Sequence, residues 1–442
     1  MLRRLALILA LSLVAAACVT QAEPTTTTAG SAVTVPGNGG PTTTLPGTTT
    51  STAPLPTPTT PDLSGLEGVS DEVRAQLERL LDIAQKIREL PFVTPPQITV
   101  VSDDELEQRV RDLIAEDAED FPADDALYTL LGLLPPDADL ETVLVDLYGE
   151  QVAGFYDGET QEIVVPARRD GFTLLQQGTM VHELTHAVVD QHFDFNTKYR
   201  AMIDGDRFDE ATAYQALIEG DATLAEVLWA QSLSRRQLGE FVAQSQEVDQ
   251  SALQAAPKFI RDSLIFPYDT GFAFVQRRYD SGGWEAVNEL YEMLPSLPPS
   301  SEQVITSSDL GRDLPIPVEP PEIELQGYDL VRTSTWGEAG LRIMLDQVLG
   351  ESVAVKAADG WGGDAYLQWF DGENAAFLLV YAGDTQREVD ELKDALVDYA
   401  LTAVAEEDFV WVEEIDDLLY FIAADEVEAG ATIRTAIGSS AG

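Results

Sequence analysis

The stretch His182-Glu-Leu-Thr-His186-Ala-Val-Val-Asp-Gln-His192 contains all three histidines of this 442-residue chain. Its first five residues have the pattern H-E-x-x-H. On a helix this pattern places two imidazoles on one face, with a carboxylate one position after the first. It is typical of a catalytic zinc site, in which His182 and His186 bind the metal and Glu183 is the general base. Because histidine occurs nowhere else in the chain, coincidence is a weak explanation.

Catalytic zinc needs a third protein ligand, and two residues compete for that role. His192 has the spacing of the longer pattern H-E-x-x-H-x-x-G-x-x-H, but Val189 stands where that pattern has a helix-breaking glycine. A β-branched residue resists positive φ, and in a continuous helix His192 points away from the metal. We therefore favour Glu219, which lies in a second long predicted helix where Gly220 allows close helix packing.

Two aspartates near these residues are further candidates. Asp221 could be a ligand or support one. Asp190, four residues after His186, could orient an imidazole through its free ring nitrogen. A plain position on a helix surface explains either aspartate equally well.

Three segments together resemble the gluzincin (thermolysin-like) metallopeptidases. They are Gly154-Phe-Tyr-Asp157, His182–Phe193 and Glu219-Gly-Asp-Ala222. The last two are closest to a group of bacterial exported proteins with H-E-x-T-H-A-x-x-D-Q-H-F and E-G-D-A-T segments. The resemblance implies a His-His-Glu zinc shell and peptide hydrolysis. By this likeness Tyr268 is a candidate to stabilise the oxyanion, with Tyr156 and a packing role as its competitors.

The N-terminus predicts export. A basic start, Met1 to Arg4, precedes an apolar run that ends at Ala17, so residues 1–17 resemble a signal peptide. Cys18, the only cysteine, stands where a bacterial lipoprotein carries its lipid; ordinary secretion is the alternative. Residues 18–65, rich in Thr, Pro, Gly and Ser, predict a disordered stalk. We expect a chain anchored to the outer face of a bacterial cell membrane, otherwise a secreted one.

The net charge of −51 argues against nucleic acid as a partner, because such a surface repels phosphates. It also repels anionic lipid headgroups, so we expect membrane contact only through a lipid on Cys18. The acidic surface is explained by solubility outside the cell.

Residues 66–325 predict a helical, zincin-like catalytic domain with a small sheet, and residues 326–442 an α+β subdomain; the fold class is thus α+β. A hairpin is expected at Gly149–Val165, with Asp157-Gly158 as its turn, and its edge would bind an extended substrate. Gly360–Asp364 is interpreted as a glycine-rich turn and not as a ligand loop. Helices are also predicted as follows: Val73–Leu90, Asp103–Ile114, Asp124–Leu134, Leu140–Leu147, Thr173–Gln191, Phe208–Ser234, Glu240–Glu247, Leu253–Leu264, Gly271–Tyr279, Glu285–Tyr291, Gly337–Leu349 and Gln386–Ala403.

The sequence therefore predicts an exported zinc metallopeptidase that hydrolyses peptides or proteins, with His182, His186 and Glu219 on Zn²⁺, Glu183 as base and Tyr268 as the candidate oxyanion donor. The alternative from another class is a non-catalytic envelope lipoprotein with a structural metal site. Glu183 weighs against the alternative, since a structural zinc has no use for a general base and usually has four protein ligands.

Overall fold

The computed structural model describes residues 8–11, 70–166, 171–293, 299–306 and 310–440. Cys18, the stalk and all of the predicted signal peptide except residues 8–11 lie outside the described residues. Within the described ranges, no helix is long and apolar enough to cross a membrane.

The first sheet has four strands in the order β1-β3-β4-β2. Their bounds are Ile8–Leu11 (β1), Gln97–Val101 (β2), Val152–Asp157 (β3) and Glu162–Pro166 (β4). β3 and β4 form the predicted antiparallel hairpin. The Asp157 carboxylate holds the turn, because it accepts hydrogen bonds from the backbone N–H of Glu159 and from the hydroxyl of Thr160. β2 joins β4 in parallel, and β1 joins the open edge of β3 antiparallel.

Eleven described helices accompany this sheet in the first part of the chain, residues 70–306. Several of them begin after a residue type that commonly caps helices. Ser70, Ser102 and Asp139 each accept a hydrogen bond from a first-turn N–H. The helices are Asp71–Arg88 (α1), Asp103–Ala115 (α2), Phe121–Leu130 (α3), Leu140–Gln151 (α4), Leu174–Phe193 (α5), Phe195–Ile203 (α6), Phe208–Ser232 (α7), Arg235–Gln246 (α8), Ser251–Ala255 (α9), Lys258–Met293 (α10) and Ser301–Ile305 (α11).

Several predicted helix boundaries were wrong, among them the start of α8, and the sequence did not predict α6 or α11. α3 starts at Phe121, earlier than predicted, because Pro122 fits the first turn of a helix. The sequence predicted separate helices at Leu253–Leu264, Gly271–Tyr279 and Glu285–Tyr291. The structure has α9 and then the long α10, whose helical geometry is interrupted only at Gly282-Gly283. Packing of α10 along α7 keeps it continuous past the internal Pro267.

The second sheet is antiparallel, with strand order β5-β6-β7-β9-β8. The strands are Asp329–Ser334 (β5), Trp361–Phe370 (β6), Ala375–Gly383 (β7), Phe409–Ile415 (β8) and Leu418–Ala424 (β9), and the accompanying helices are Gly337–Leu345 (α12), Glu351–Ala358 (α13), Gln386–Ala403 (α14) and Val427–Ser440 (α15). The sequence did not predict β5, α13 or α15. β5 is polar, and its Arg332 is nevertheless buried in an ion pair with Asp124 of α3.

Both faces of the second sheet are covered, which explains the uninterrupted apolar sequence of β7. Phe377, Leu379 and Tyr381 belong to the large core shared with the first part of the chain. Leu378 and Val380 point the other way and pack with residues of α15 in a smaller core. The architecture is α+β and mostly helical, as predicted.

Candidate metal centre

α5 holds the H-E-x-x-H residues inside the protein. Thr173 caps it, and Gln176 completes a capping box. The helix is buried from Gly178 to Asp190 and continues to Phe193, where Asp194 in the left-handed region ends it. The imidazoles of His182 and His186 therefore point to the same side, with ring centroids 4.6 Å apart.

α7 brings Glu219 to these histidines, and two glycines make that approach possible. A Cβ at Gly220 would overlap the backbone carbonyl of Gly271 on α10, and a Cβ at Gly271 would overlap the carbonyl of Ala216. The backbones of α7 and α10 are thus in direct contact. This contact fixes the position of α7 and also places Tyr268, one turn before Gly271, at the same centre.

The three predicted ligands lie together. Glu219 Oε2 lies 3.2 Å from His182 Nε2 and 3.5 Å from His186 Nε2. The ligand atoms of all three residues lie within 4.8 Å of one another. Ligand atoms at the corners of a tetrahedron with zinc bonds near 2.1 Å are about 3.4 Å apart. The spacing to Glu219 therefore matches that of a tetrahedral zinc site.

Burial and mutual hydrogen bonds set the protonation of the cluster. Burial lowers the pKa of His186, which favours the neutral imidazole that a metal binds. Burial opposes the charge of Glu219, but the two histidines outweigh it and hold its pKa below the ordinary value. Burial likewise opposes a charge on His182, yet hydrogen bonds with Glu219 and Glu226 raise its pKa to about 10. A cation binding here displaces that proton.

Several polar atoms at this centre have no hydrogen-bond partner in the described part of the chain. They are both carboxylate oxygens of Glu183, Oε1 of Glu219 and Nε2 of His186. Buried polar atoms are almost always satisfied in folded proteins, so orphaned atoms at one place need an explanation. A divalent cation and the water that accompanies it would satisfy them, and the donor set fits zinc.

Glu183 itself is fully buried beside the cluster and is not one of its three ligands. Burial raises the pKa of its carboxyl well above the ordinary value, while the positive charge of His182 counteracts part of this effect. In its ionised form a buried carboxylate at this position can accept a proton, which is what a general base requires.

Glu226 is a functional candidate that the sequence analysis missed. It lies two helical turns after Glu219 on the same face of α7, and its Oε2 is 3.6 Å from Nδ1 of His182. A carboxylate on the second ring nitrogen fixes the orientation and tautomer of a metal-binding histidine. The spacing of seven residues from Glu219 was the available signal.

The two candidate tyrosines have different neighbours. The Tyr268 ring stacks on His182 with centroids 6.3 Å apart, and its phenol contacts Glu219. Burial raises the pKa of Tyr268 well above the ordinary value, so the phenol remains a donor. The Tyr156 hydroxyl donates a 2.8 Å hydrogen bond to Asp190. The structure thus brings Tyr268, and not the Tyr156 hydroxyl, to the three ligands.

The remaining candidates lie elsewhere. His192 Nε2 bonds to the carbonyl of Pro91 at 2.7 Å, on the side of α5 away from the cluster. Asp190 accepts hydrogen bonds from Tyr156 and the backbone of Asn196 and not from an imidazole. Asp221 makes a buried two-point ion pair with Arg88 at 2.7 and 3.0 Å and accepts a hydrogen bond from Tyr291. The role of Asp221 is therefore to join Arg88 and Tyr291 in the core, and its carboxylate does not face the three clustered residues.

The glycine-rich segment Gly360–Asp364 is also structural. The Asp364 carboxylate accepts hydrogen bonds from the backbone N–H groups of Trp336 and Gly337 and from the indole of Trp361. These bonds attach the start of α12 to β6. Only Gly360, with φ of 76°, lies in the turn before β6, so the predicted turn was wrong for Trp361–Asp364, which belongs to the strand.

Comparison with protein-family models matches the C-terminal part of the chain. A family model described as a domain of unknown function (DUF8575) matches residues 326–436. No curated protein sequence matches the chain. The match covers the second sheet and its helices, and the residues of the metal centre lie outside it.

Proposed function

We propose that this chain is a zinc-dependent metallopeptidase of the gluzincin type, with a zincin-like catalytic domain in residues 66–325. The observation that carries the proposal is the meeting of His182, His186 and Glu219 beside Glu183, a fully buried acid that is not one of the three potential ligands. A structural zinc would leave such a carboxylate without a role, so this observation weighs against a non-catalytic lipoprotein.

His182, His186 and Glu219 would hold the zinc. When bound, zinc supplies a Lewis acid that polarises a carbonyl and makes water more acidic. Glu183 takes the proton from the attacking water and returns it to the leaving amine. Tyr268 donates a hydrogen bond to the oxyanion. Glu226 keeps His182 in the orientation that presents Nε2 to the metal.

The edge of β3 suits an extended peptide. In the full-length chain Ile8–Leu11 pairs with this edge antiparallel. If residues 1–17 are removed on export, the same backbone groups become available to a substrate strand. We propose that the mature protein acts outside the cytoplasm, attached to the membrane through lipid on Cys18.

The decisive test is Glu183→Gln. The amide keeps the size of the side chain but cannot accept the proton, so peptide hydrolysis should be lost while zinc content stays at about one ion per chain. The assay is a broad peptide library read by mass spectrometry, with metal analysis of the same samples. Glu210→Gln at the start of α7, where the side chain pairs with Arg207 at 2.8 Å, is the matched control.

Activity in Glu183→Gln would refute the mechanism. A wild-type protein that binds zinc tightly but cleaves no peptide in the library would instead support the non-catalytic lipoprotein.

A further inference from the structure

A partly open cavity of about 160 Å³ lies between the first part of the chain and α12. Its walls come from α4, α7 and α10 on one side and from α12 and β6 on the other. Aliphatic and aromatic groups dominate the walls, among them Leu144, Leu147, Ile203, Phe259, Trp336 and Ile343. The C-terminal domain therefore supplies part of a binding-sized cavity.

The size of the cavity limits what it can hold. An engineered apolar cavity of about 150 Å³ in another protein accepts benzene. A cavity of about 160 Å³ with apolar walls accordingly suits one aromatic ring or one branched aliphatic side chain.

The cavity adjoins the metal centre along α7. Thr212 and Gln215 line it, and they lie seven and four residues before Glu219 on the same helical face. Four residues of helix span about 6 Å, so the cavity wall at Gln215 is one turn from a proposed zinc ligand. On α10, Pro267 lines the cavity and Tyr268 stacks on His182.

Two further tyrosines connect the cavity to the centre. Tyr148 and Tyr199 line the cavity, and both are buried. Burial, and then the negative charge of Glu219, raise the pKa of each phenol.

The C-terminal domain adds an unused donor to the wall. Trp336 Nε1 is buried and has no acceptor among the described residues. The edge of this ring lies against Gly340, which also lines the cavity, and a Cβ at Gly340 would come within 2.7 Å of the ring. A carbonyl group of a bound ligand would satisfy this indole N–H.

We infer that the C-terminal domain completes a specificity pocket for the proposed peptidase. The pocket takes one bulky apolar side chain, such as phenylalanine or leucine, from the peptide that is cleaved at the metal centre. This inference rests on the proposed function for its substrate class, and on the cavity and its place beside Glu219 for its location.

The test uses internally quenched alanine peptides that carry phenylalanine at each position in turn. At one position phenylalanine should raise kcat/KM of the zinc-loaded mature protein, which lacks residues 1–17, by about 10- to 100-fold over alanine, as expected from burial of one aromatic side chain. Ile343→Trp fills the pocket and should abolish this gain. Val353→Trp, a change of the same kind at a position 47% exposed on α13, should keep it.

Binding provides a readout that needs no turnover. Calorimetry with the same peptides and the Glu183→Gln protein should show the same preference for phenylalanine, lost on adding Ile343→Trp. Ile343→Ala, which enlarges the pocket, should shift the preference from phenylalanine towards tryptophan. This variant tests the pocket independently if Ile343→Trp does not fold.

The outcomes separate the two proposals. Phenylalanine-dependent binding that Ile343→Trp removes, without any hydrolysis by the wild type, supports the pocket and refutes the peptidase. Hydrolysis that shows no apolar preference, or a preference that survives both Ile343 variants, overturns the pocket and leaves the peptidase intact.

Discussion

Glu219 is the proposed third ligand, because His182 and His186 alone would leave a catalytic metal one protein ligand short. The structure places its carboxylate within 3.5 Å of both imidazoles, whereas His192 bonds to Pro91 on the other side of the helix. Substitution of Glu219 and substitution of His192 should therefore have opposite effects on zinc binding.

Glu219→Ala should lose stoichiometric zinc and all peptidase activity, whereas His192→Ala should keep both. Removing Glu219 leaves two ligands and exposes them to competition from protons. Metal analysis after dialysis against a weak chelator measures the difference. Zinc loss in the His192 variant with retention in the Glu219 variant would assign the third ligand to His192.

Glu226→Gln should weaken zinc binding by roughly 10- to 100-fold without abolishing it, as expected for loss of a carboxylate that orients a metal-binding histidine. Competition with a fluorescent chelator measures the affinity. Glu210→Gln, near the opposite end of the same helix, should leave affinity unchanged. Equal affinities for wild type and Glu226→Gln would show that Glu226 does not position His182.

At the residue scale, the sequence predicted the meeting of His182, His186 and Glu219 better than it predicted the residues around them. His182, Glu183 and His186 follow from spacing on one helix, and Gly220 next to Glu219 indicated a close helix contact. Glu226 was missed because its seven-residue spacing from Glu219 is a weak signal in a chain with 77 acidic residues. Asp190 was a plausible support by spacing, but its partners, Tyr156 and Asn196, come from other elements.

At the scale of elements, the pair α7 and α10 is the frame of the centre. Each helix has a glycine where the two helices cross. On α7 Gly220 is next to Glu219, and on α10 Gly271 is one turn after Tyr268. Gly239, in the middle of α8, has no heavy atom near the position of an added Cβ and offers a matched comparison.

Gly220→Ala or Gly271→Ala should force these helices apart and lower the free energy of unfolding by about 1–3 kcal/mol, the usual range for overpacking. Zinc affinity should fall as well, because Glu219 moves with α7. Gly239→Ala should instead raise stability by about 0.5–1 kcal/mol through helix propensity. Urea unfolding monitored by circular dichroism tests all three. Alanine at Gly220 with unchanged stability and affinity would show that the close approach is dispensable.

Element types were more predictable than their ends and partners. Strong helical periodicity and the Asp157-Gly158 turn identified most helices and the hairpin. β5 was missed because its sequence is polar, and the buried Arg332 becomes acceptable only through Asp124, 208 residues earlier in the chain. Long-range ion pairs of this kind have no local signal.

At the scale of the whole molecule, buried acids connect the two parts of the chain. Asp209 of α7 accepts a hydrogen bond from the backbone of Ser301, and a Cβ at Gly337 would overlap its carboxylate. Burial, together with the charges of Asp364 and Glu338, raises the pKa of Asp209 to about 7. Burial also raises the pKa of Glu338 to about 7 and that of Asp364 to about 6.

Because the pKa values of these acids are raised, we expect the free energy of unfolding to fall as pH rises. In the unfolded chain they release their protons near pH 4, but the folded protein retains them up to about pH 7 for Asp209. The folded state therefore binds more protons between these values, and its stability falls across that window and levels off above it.

Urea unfolding at pH 5 and pH 8 should show this loss, and Asp209→Asn should reduce it by an amount on the order of a few kcal/mol, because the amide has no charge to bury at pH 8. Asp139→Asn is the control. Hydrogen bonds from Thr142 lower the pKa of Asp139, which is exposed, so this group titrates below the window. A difference between pH 5 and pH 8 that is the same in wild type and Asp209→Asn would show that Asp209 does not carry the pH dependence. The remaining slope would then belong to the other buried acids between the two parts of the chain, Glu338 and Asp364.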